Sequence, residues 1–198
     1  TNAVLSGFKV FKNNNWKTNS KWNFNKKDNL FKEFLLKEIV FNTATFLWKR
    51  ECIGALKFNE DLTRAQDLDF IFLILNNNKN NFEIIEKELT YVRLHKNTIT
   101  NNYNTGKIED IDSEVLVRRK ILENNFLKED VKVQNKLTFF YLNTIKKYLV
   151  NNHYKSYFKS LFWIKNRFIK IKLFYIGIIY LVAKKGLTKY SKIIKTLK

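Results

Sequence analysis

The sequence contains no proline and no methionine, has a single cysteine, and carries no acidic residue after Asp130. Average usage would give roughly ten prolines in a chain of this length. Their absence goes with 26 asparagines and with 31 lysines against 6 arginines, a bias that suggests AT-rich coding. Some of the lysine content then reflects drift rather than selection, so a lysine cluster alone does not argue for a ligand. One cysteine, Cys52, excludes an internal disulfide and a cysteine metal cluster, and fits a reducing compartment. With no methionine, the chain opens on Thr1-Asn2-Ala3 and runs at once into a strand-like alternation, so we read it as a piece cut from a longer protein. No signal peptide is visible, and a fragment would not show one. The longest apolar run, 173–183, is only 11 residues, well short of the ~20 that span a bilayer.

What is present is enough for a core. At 198 residues and 45% hydrophobic composition, the chain can form one domain, or one domain with an appendage. The formal charge of +19 is unevenly placed. Residues 1–130 hold 21 Lys and Arg against all 18 Asp and Glu, whereas 131–198 hold 16 basic residues and no acid.

Residues 4–11 alternate as a half-buried strand does. The polar stretch 13–27, with Trp16 and Trp22, reads as a loop or loose hairpin. Asp28 is placed to cap a helix over 29–38, whose apolar face is Leu30, Phe31, Phe34 and Leu35. Val40–Trp48 is β-branched and aromatic enough for a buried strand. A short helix over 50–55 follows, and helical spacing resumes at about Gln66. There Leu68, Ile71, Phe72 and Leu75 share one face, leaving Asp67 and Ile74 on another. Residues 76–81 form a turn cluster, with short strands at 82–85 and 89–94. Residues 101–112, including Glu109-Asp110-Ile111-Asp112, read as a solvated acidic linker. Three helices are expected beyond it, over 113–125, 129–150 and 153–185. In the third, Tyr154, Tyr157, Phe158, Leu161, Phe162, Phe168 and Ile169 recur at helical spacing, with Lys155, Lys159 and Lys170 off that stripe.

Between 42 and 100, four pieces follow one another in an order that resembles the second half of the GT-A fold in family-two glycosyltransferases. Thr43-Ala44-Thr45-Phe46-Leu47-Trp48-Lys49-Arg50-Glu51 is similar to that family's strand and "rre" turn. Gly54 with Phe58-Asn59-Glu60-Asp61-Leu62 is similar to G-x-F-x-E-x-L. Gln66-Asp67-Leu68-Asp69-Phe70 is similar to E-D-x-D-F, with Gln66 where Glu is usual. Tyr91-Val92-Arg93-Leu94-His95, with Thr98 and Thr100, is similar to Y-R-x-H-x-x-S-x-S. The resemblance implies a mixed α/β, partial GT-A fold over 1–100 that lacks its N-terminal nucleotide-binding half, followed over 101–198 by a linker and a basic, α-helical extension.

It also implies inverting transfer of a sugar from a nucleotide-sugar donor to a glycan or lipid-linked hydroxyl acceptor. Asp67 maps onto the catalytic base. Such a transfer needs a carboxylate within hydrogen-bond reach of the acceptor hydroxyl, and the start of a helix favours the anion. Gln66, Arg93, His95 and Trp48 map onto substrate-binding positions. Arg93 and His95 alternate along a strand and project the same way, as suits binding of diphosphate oxygens. The family's divalent metal, Mg or Mn, is held mainly by a D-x-D in the other half. Asp67-Leu68-Asp69 spells the same motif but leads into an amphipathic helix, which argues against that role, and His95 is left as the one candidate metal ligand within this chain. By this reading the 198 residues alone are inactive.

The cationic extension has three readings: an anionic membrane, nucleic acid, or packing on the α/β part. Its aromatic stripe, flanking lysines and Trp163 suit an interfacial helix on an anionic membrane, which would place the protein in the cytoplasm, peripheral at the inner face of the cell membrane. Alternatively the stripe packs on the α/β part and the lysines face water. The class alternative to an enzyme is a non-enzymatic basic module that binds anionic membrane or nucleic acid. Nucleic acid is the disfavoured partner: the charge would attract phosphates, but no recognisable nucleic-acid motif accompanies it.

Overall fold

The alternation beginning at Val4 becomes the central strand of a four-stranded sheet in the computed structural model of the protein, which describes residues 3–12, 15–18, 30–38, 43–77, 82–93, 106–124 and 130–197. The chain is mixed α/β, a small sheet with many helices, and divides into two compact units. One is Thr1–Asp61 with Gln66–Asn104; the other is Leu62–Ala65 with Thr105–Lys198.

In the first unit, β1 (Ala3–Lys12) has neighbours on both sides. One edge is shared: β2 (Asn15–Thr18) pairs antiparallel with residues 9–12, and β3 (Phe46–Trp48) pairs antiparallel with residues 3–5. On the other edge β4 (Phe82–Arg93) runs parallel to β1. Central placement explains why Leu5, Ser6, Gly7 and Phe8 are all buried, although a half-buried strand would alternate. Strand β4 is continuous where the sequence predicts two short strands. The polar Glu86-Lys87-Glu88 that interrupts its apolar pattern is absorbed by register shifts opposite Ser6–Gly7 and Gly7–Phe8. Gly7 permits this: a Cβ there would lie 3.2 Å from Glu88 Cγ and 3.3 Å from the Lys87 carbonyl.

Helices α1 (Leu30–Leu36), α2 (Arg50–Ile53) and α3 (Gln66–Asn77) complete the unit. α1 packs on α3, with the Phe31 and Phe72 rings 5.8 Å apart. Of the predicted strand at 40–48, residues 43–45 form a turn of 3-10 helix and Phe46–Trp48 form β3, while 40–42 lie outside the described residues. Ile74 departs from expectation too. It is fully buried, since α3 is enclosed on more than one face by its own unit, with Asp69, Phe70, Ile71, Phe72 and Leu75 buried as well. Asp28, Leu94, His95, Thr98 and Thr100 lie outside the described residues.

The second unit is built from α4 (Ile108–Glu123), α5 (Val131–Val150), α6 (Tyr154–Leu161), α7 (Arg167–Ala183) and α8 (Leu187–Lys195). Within the predicted linker, Glu109-Asp110-Ile111-Asp112 belong instead to the start of α4, and 101–105 lie outside the described residues. Glu109 and Asp110 sit where the helix dipole favours anions, and Ile111 is buried. The single helix predicted over 153–185 is two. Asn166 ends the apolar run by capping α7, accepting from the Ile169 amide at 3.1 Å. Periodicity carries through the break because α6 and α7 each bury a face, so it could not show the interruption. Close approach of the two needs Gly177, where a Cβ would lie 2.6 Å from Tyr157 Cε1.

Four buried tyrosines tie these helices together. Tyr141 on α5 donates to the Ser160 carbonyl on α6 at 2.8 Å, and Tyr157 on α6 to the Leu173 carbonyl on α7 at 2.9 Å. Tyr190 on α8 returns to the Leu142 carbonyl on α5 at 2.8 Å, and Tyr148 on α5 donates to the Asp112 carboxylate on α4. Burial disfavours the phenolate and pushes all four upward, Tyr141 to about 12; for Tyr148 the Asp112 carboxylate adds to the effect. A tyrosine whose pKa is raised on folding contributes its full stability below its ordinary value of 10.0, and that stability is lost as pH rises towards the folded value. The Tyr141 contribution is lost between pH 10 and about 12 and those of the other three continue to fall above it, so the helical unit should lose stability progressively from pH 10 upward. Tyrosinate absorbance and helical circular dichroism followed over that range are expected to change together. Ionisation of the buried tyrosines with the helices intact would refute the coupling.

Candidate functional site

The resemblance points to the N-terminus of α3, which is reached from β3. Trp48 closes β3 in an aromatic cluster, stacked on Phe46 at 4.4 Å and edge-on to Phe82 at 6.0 Å. Lys49 and Arg50 follow it and are exposed, Lys49 Nζ lying 3.6 Å from the Glu51 carboxylate. After α2 and Gly54, whose φ is 54°, comes an open turn in which Asn59 Oδ1 accepts from the Asp61 amide at 3.0 Å. Phe58 in this turn stacks on Phe70 of α3 at 4.2 Å. The contact joins two pieces of the sequence resemblance, the turn at 58–62 and the helix that begins at Gln66.

Between them, Leu62–Ala65 belongs to the other unit. Leu62 is buried there, and the Thr63 amide donates to Ser113 Oγ at 3.1 Å. Ala65, the last residue before α3, has a φ of 61°, a conformation that costs a residue with a Cβ roughly 1–2 kcal/mol. Strain of this kind at the entry to a helix marks a position that the surroundings over-determine.

The first turn of α3 separates its two carboxylates. Asp67 is exposed, whereas Asp69 is buried at 3% exposure. Residues i and i+2 lie about 200° apart around a helix, so the two acids diverge and do not form the convergent oxygen pair that a divalent cation needs. Among the described residues no cluster of three His, Cys, Asp or Glu could hold a metal ion. The implied Mg or Mn therefore does not fit the two acids of this turn. Gln66 is half-buried beside Asp67.

The sheet sets the spacing of the other predicted positions. Trp48 pairs with Ala3 and Arg93 with Phe11, at opposite ends of β1. Eight residues of strand separate those partners, roughly 26 Å at ~3.3 Å per residue. Arg93 is exposed at the end of β4. One sugar ring cannot touch both side chains, so Trp48 and Arg93 do not share a subsite. His95 lies outside the described residues. His153, the other histidine, faces the Gly106 carbonyl through Nε2 at 3.1 Å, a structural contact within the helical unit.

Compared with protein-family models, curated proteins and solved structures, the chain matches none.

The helical unit holds two charged assemblies that the sequence did not reveal. Glu114 takes Lys147 Nζ and Thr144 Oγ1, each at 3.2 Å, with Arg118 at 3.6 Å and Arg64 at 3.9 Å. Arg118 is buried, and desolvation outweighs the Glu114 carboxylate to lower its pKa. Only the Glu114–Arg118 spacing of four was visible in the sequence. The second assembly surrounds Arg119 and Trp163, whose residues come from distant stretches of the chain.

The strain at Ala65 predicts that Ala65→Gly stabilises the protein. Relief of the positive φ should exceed the added unfolded-state freedom of glycine by roughly 0.5 kcal/mol. An upward shift of the urea midpoint would show it, and a downward shift would mean that the Ala65 methyl contributes packing worth more than the strain.

Proposed function

We propose that residues 1–100 form the acceptor-side half of an inverting, nucleotide-sugar-dependent glycosyltransferase of GT-A type, with Asp67 as general base. The observation that carries this reading is the solvent-facing carboxylate of Asp67 in the first turn of α3, beside a turn locked to that helix by the Phe58–Phe70 stack. The order of the four sequence pieces supports it. In the reaction, Asp67 takes the proton of the acceptor hydroxyl as its oxygen attacks the anomeric carbon. The bond to the nucleoside diphosphate breaks, and configuration at that carbon inverts. Arg93, exposed at the end of β4, is given the phosphate oxygens. Trp48, half-buried where β3 pairs with the start of β1, is given acceptor contact, and Gln66 a hydrogen bond to a sugar hydroxyl.

The reading requires a nucleotide-binding half in addition to these residues, with its divalent ion. With that half present, Asp67→Asn is expected to lower transfer by about 10²- to 10⁴-fold, while nucleotide-sugar binding and Tm stay nearly unchanged. Retained turnover would remove Asp67 from the mechanism.

A second reading, a basic module on an anionic membrane, is favoured by α7. Its inward residues include Leu173, Ile176 and Gly177, yet Phe168, Ile171, Tyr175, Ile178 and Val182, spaced three and four apart, face water. Phe168 is 78% and Val182 80% exposed. An apolar stripe of this length on a monomer marks a contact surface. Lys165, Arg167, Lys170, Lys172, Lys184 and Lys185 flank it, so an anionic bilayer is the complementary partner. Among the described residues no helix is long and apolar enough to cross a membrane. This reading gives a peripheral location, at the inner face of the cell membrane. Co-sedimentation with anionic vesicles is expected at low salt, weaker at high salt, and reduced by about tenfold in Phe168→Gln/Val182→Gln. Equal sedimentation with neutral vesicles, or none with either, would leave the stripe without that partner.

A further inference from the structure

Within the helical unit lies a cavity of 540 Å³ whose walls come from α4, α5, the 162–166 link, the first turn of α7 and Leu197. Four cations line it, Arg119, Lys165, Arg167 and Lys170, against one carboxylate, Glu123. That leaves a formal net charge of +3 at the wall. The Arg119 guanidinium lies 4.2 Å from the Trp163 ring centre. Its Nε is buried and has no hydrogen-bond partner among the described residues. A buried donor without an acceptor costs about 1–3 kcal/mol, and a bound anion would supply what is missing.

Two of the neighbouring donors are committed to backbone carbonyls, which helps to fix the wall. Tyr141 gives its hydroxyl to the Ser160 carbonyl, and Lys170 Nζ donates to the Phe162 carbonyl at 3.2 Å. Leu122, Ile164, Ile169, Leu197 and the Trp163 ring give the wall its apolar part, and Gln134, Asn135 and Thr138 add neutral polar groups from α5. The first turn of α7 contributes the positive end of its dipole.

From this we infer that the cavity binds a phosphate group carried on an apolar or aromatic body. A phosphate monoester carries about −1.5 to −2 charges at neutral pH, which matches the surplus at the wall better than a carboxylate does. Arginine supplies the planar donor fork for its oxygens, and lysines supply point charges. The apolar wall and the Trp163 face take the attached body. The phosphate is that of a lipid-like amphiphile or of a soluble aromatic ester. The site lies entirely in the helical unit, so it stands or falls separately from the role of Asp67.

The test is calorimetric titration of the 198-residue chain with dodecyl phosphate below its micellar concentration and with phenyl phosphate, using dodecyl maltoside as the uncharged comparison. Single-site binding of at least one phosphate ester is expected, with the maltoside bound at least about tenfold more weakly. Tighter binding of dodecyl phosphate identifies a lipid-like ligand, and equal or tighter binding of phenyl phosphate a soluble one. Lys165→Gln/Arg167→Gln changes two exposed side chains at the cavity and should weaken binding about tenfold or more. Lys189→Gln/Lys192→Gln removes the same charge from the exposed side of α8 and should have less than about a twofold effect. Equal losses in the two double variants would reduce the interaction to bulk charge and overturn the proposal. Binding of the maltoside as tight as that of the phosphates would overturn it as well.

Discussion

The hydroxyls of four buried tyrosines are the interaction on which the helical unit depends. Each phenol is large enough to fill core volume and also carries a donor that must be satisfied once it is buried. Here each donor is satisfied on a different helix: α5 reaches α6 and α4, α6 reaches α7, and α8 reaches back to α5. A hydrogen bond of this kind contributes only about 1 kcal/mol net. Its larger effect is on register, because sliding one helix along another would strand a phenol in apolar surroundings. Five helices with similar leucine, isoleucine and phenylalanine faces could pack in several ways, and the tyrosines select among them.

Elements set by local chemistry were readable in the sequence, and elements set by pairing were not. The helix beginning at Gln66 and the strand beginning near Val4 followed from spacing alone. Burial of Ile74 did not, because it comes from enclosure of α3 by the rest of its unit. Continuity of β4 across Glu86-Lys87-Glu88 depends on Gly7 in a strand some eighty residues earlier, which no local window contains. The break between α6 and α7 had a local signal, Asn166, but it was one asparagine among 26 and did not stand out. At the candidate site, the placement of Asp67 in the first turn of α3 was readable from its helical context. The distance between Trp48 and Arg93 was not, since it is fixed by which residues of β1 they pair with. The cavity around Arg119 was wholly hidden, because its cations come from two stretches more than forty residues apart.

The absence of acid after Asp130 helps to explain why residues 108–112 are a helix rather than a linker. Helices α5 to α8 carry the cations of an acid-free stretch and cannot neutralise one another. Their counter-ions have to come from elsewhere in the unit, and α4 supplies one in Glu114, which meets Lys147, while Asp112 of the same helix accepts from the Tyr148 hydroxyl. A solvated linker could not hold carboxylates at fixed positions against α5, whereas a helix fixes Asp112 beside Tyr148 and Glu114 beside Lys147. Even so, Glu114 is shared among Lys147, Arg118 and Arg64, so one anion serves three cations. The excess that α4 cannot match remains at the cavity around Arg119 and along the flanks of α7. Those are also the places where the unit leaves aromatic and aliphatic surface uncovered. Uncompensated positive charge beside uncovered apolar surface is costly to a chain in isolation, through self-repulsion and exposed hydrocarbon. A partner that is anionic at one end and apolar at the other relieves both at once, which is why the cavity and the α7 stripe call for the same chemistry.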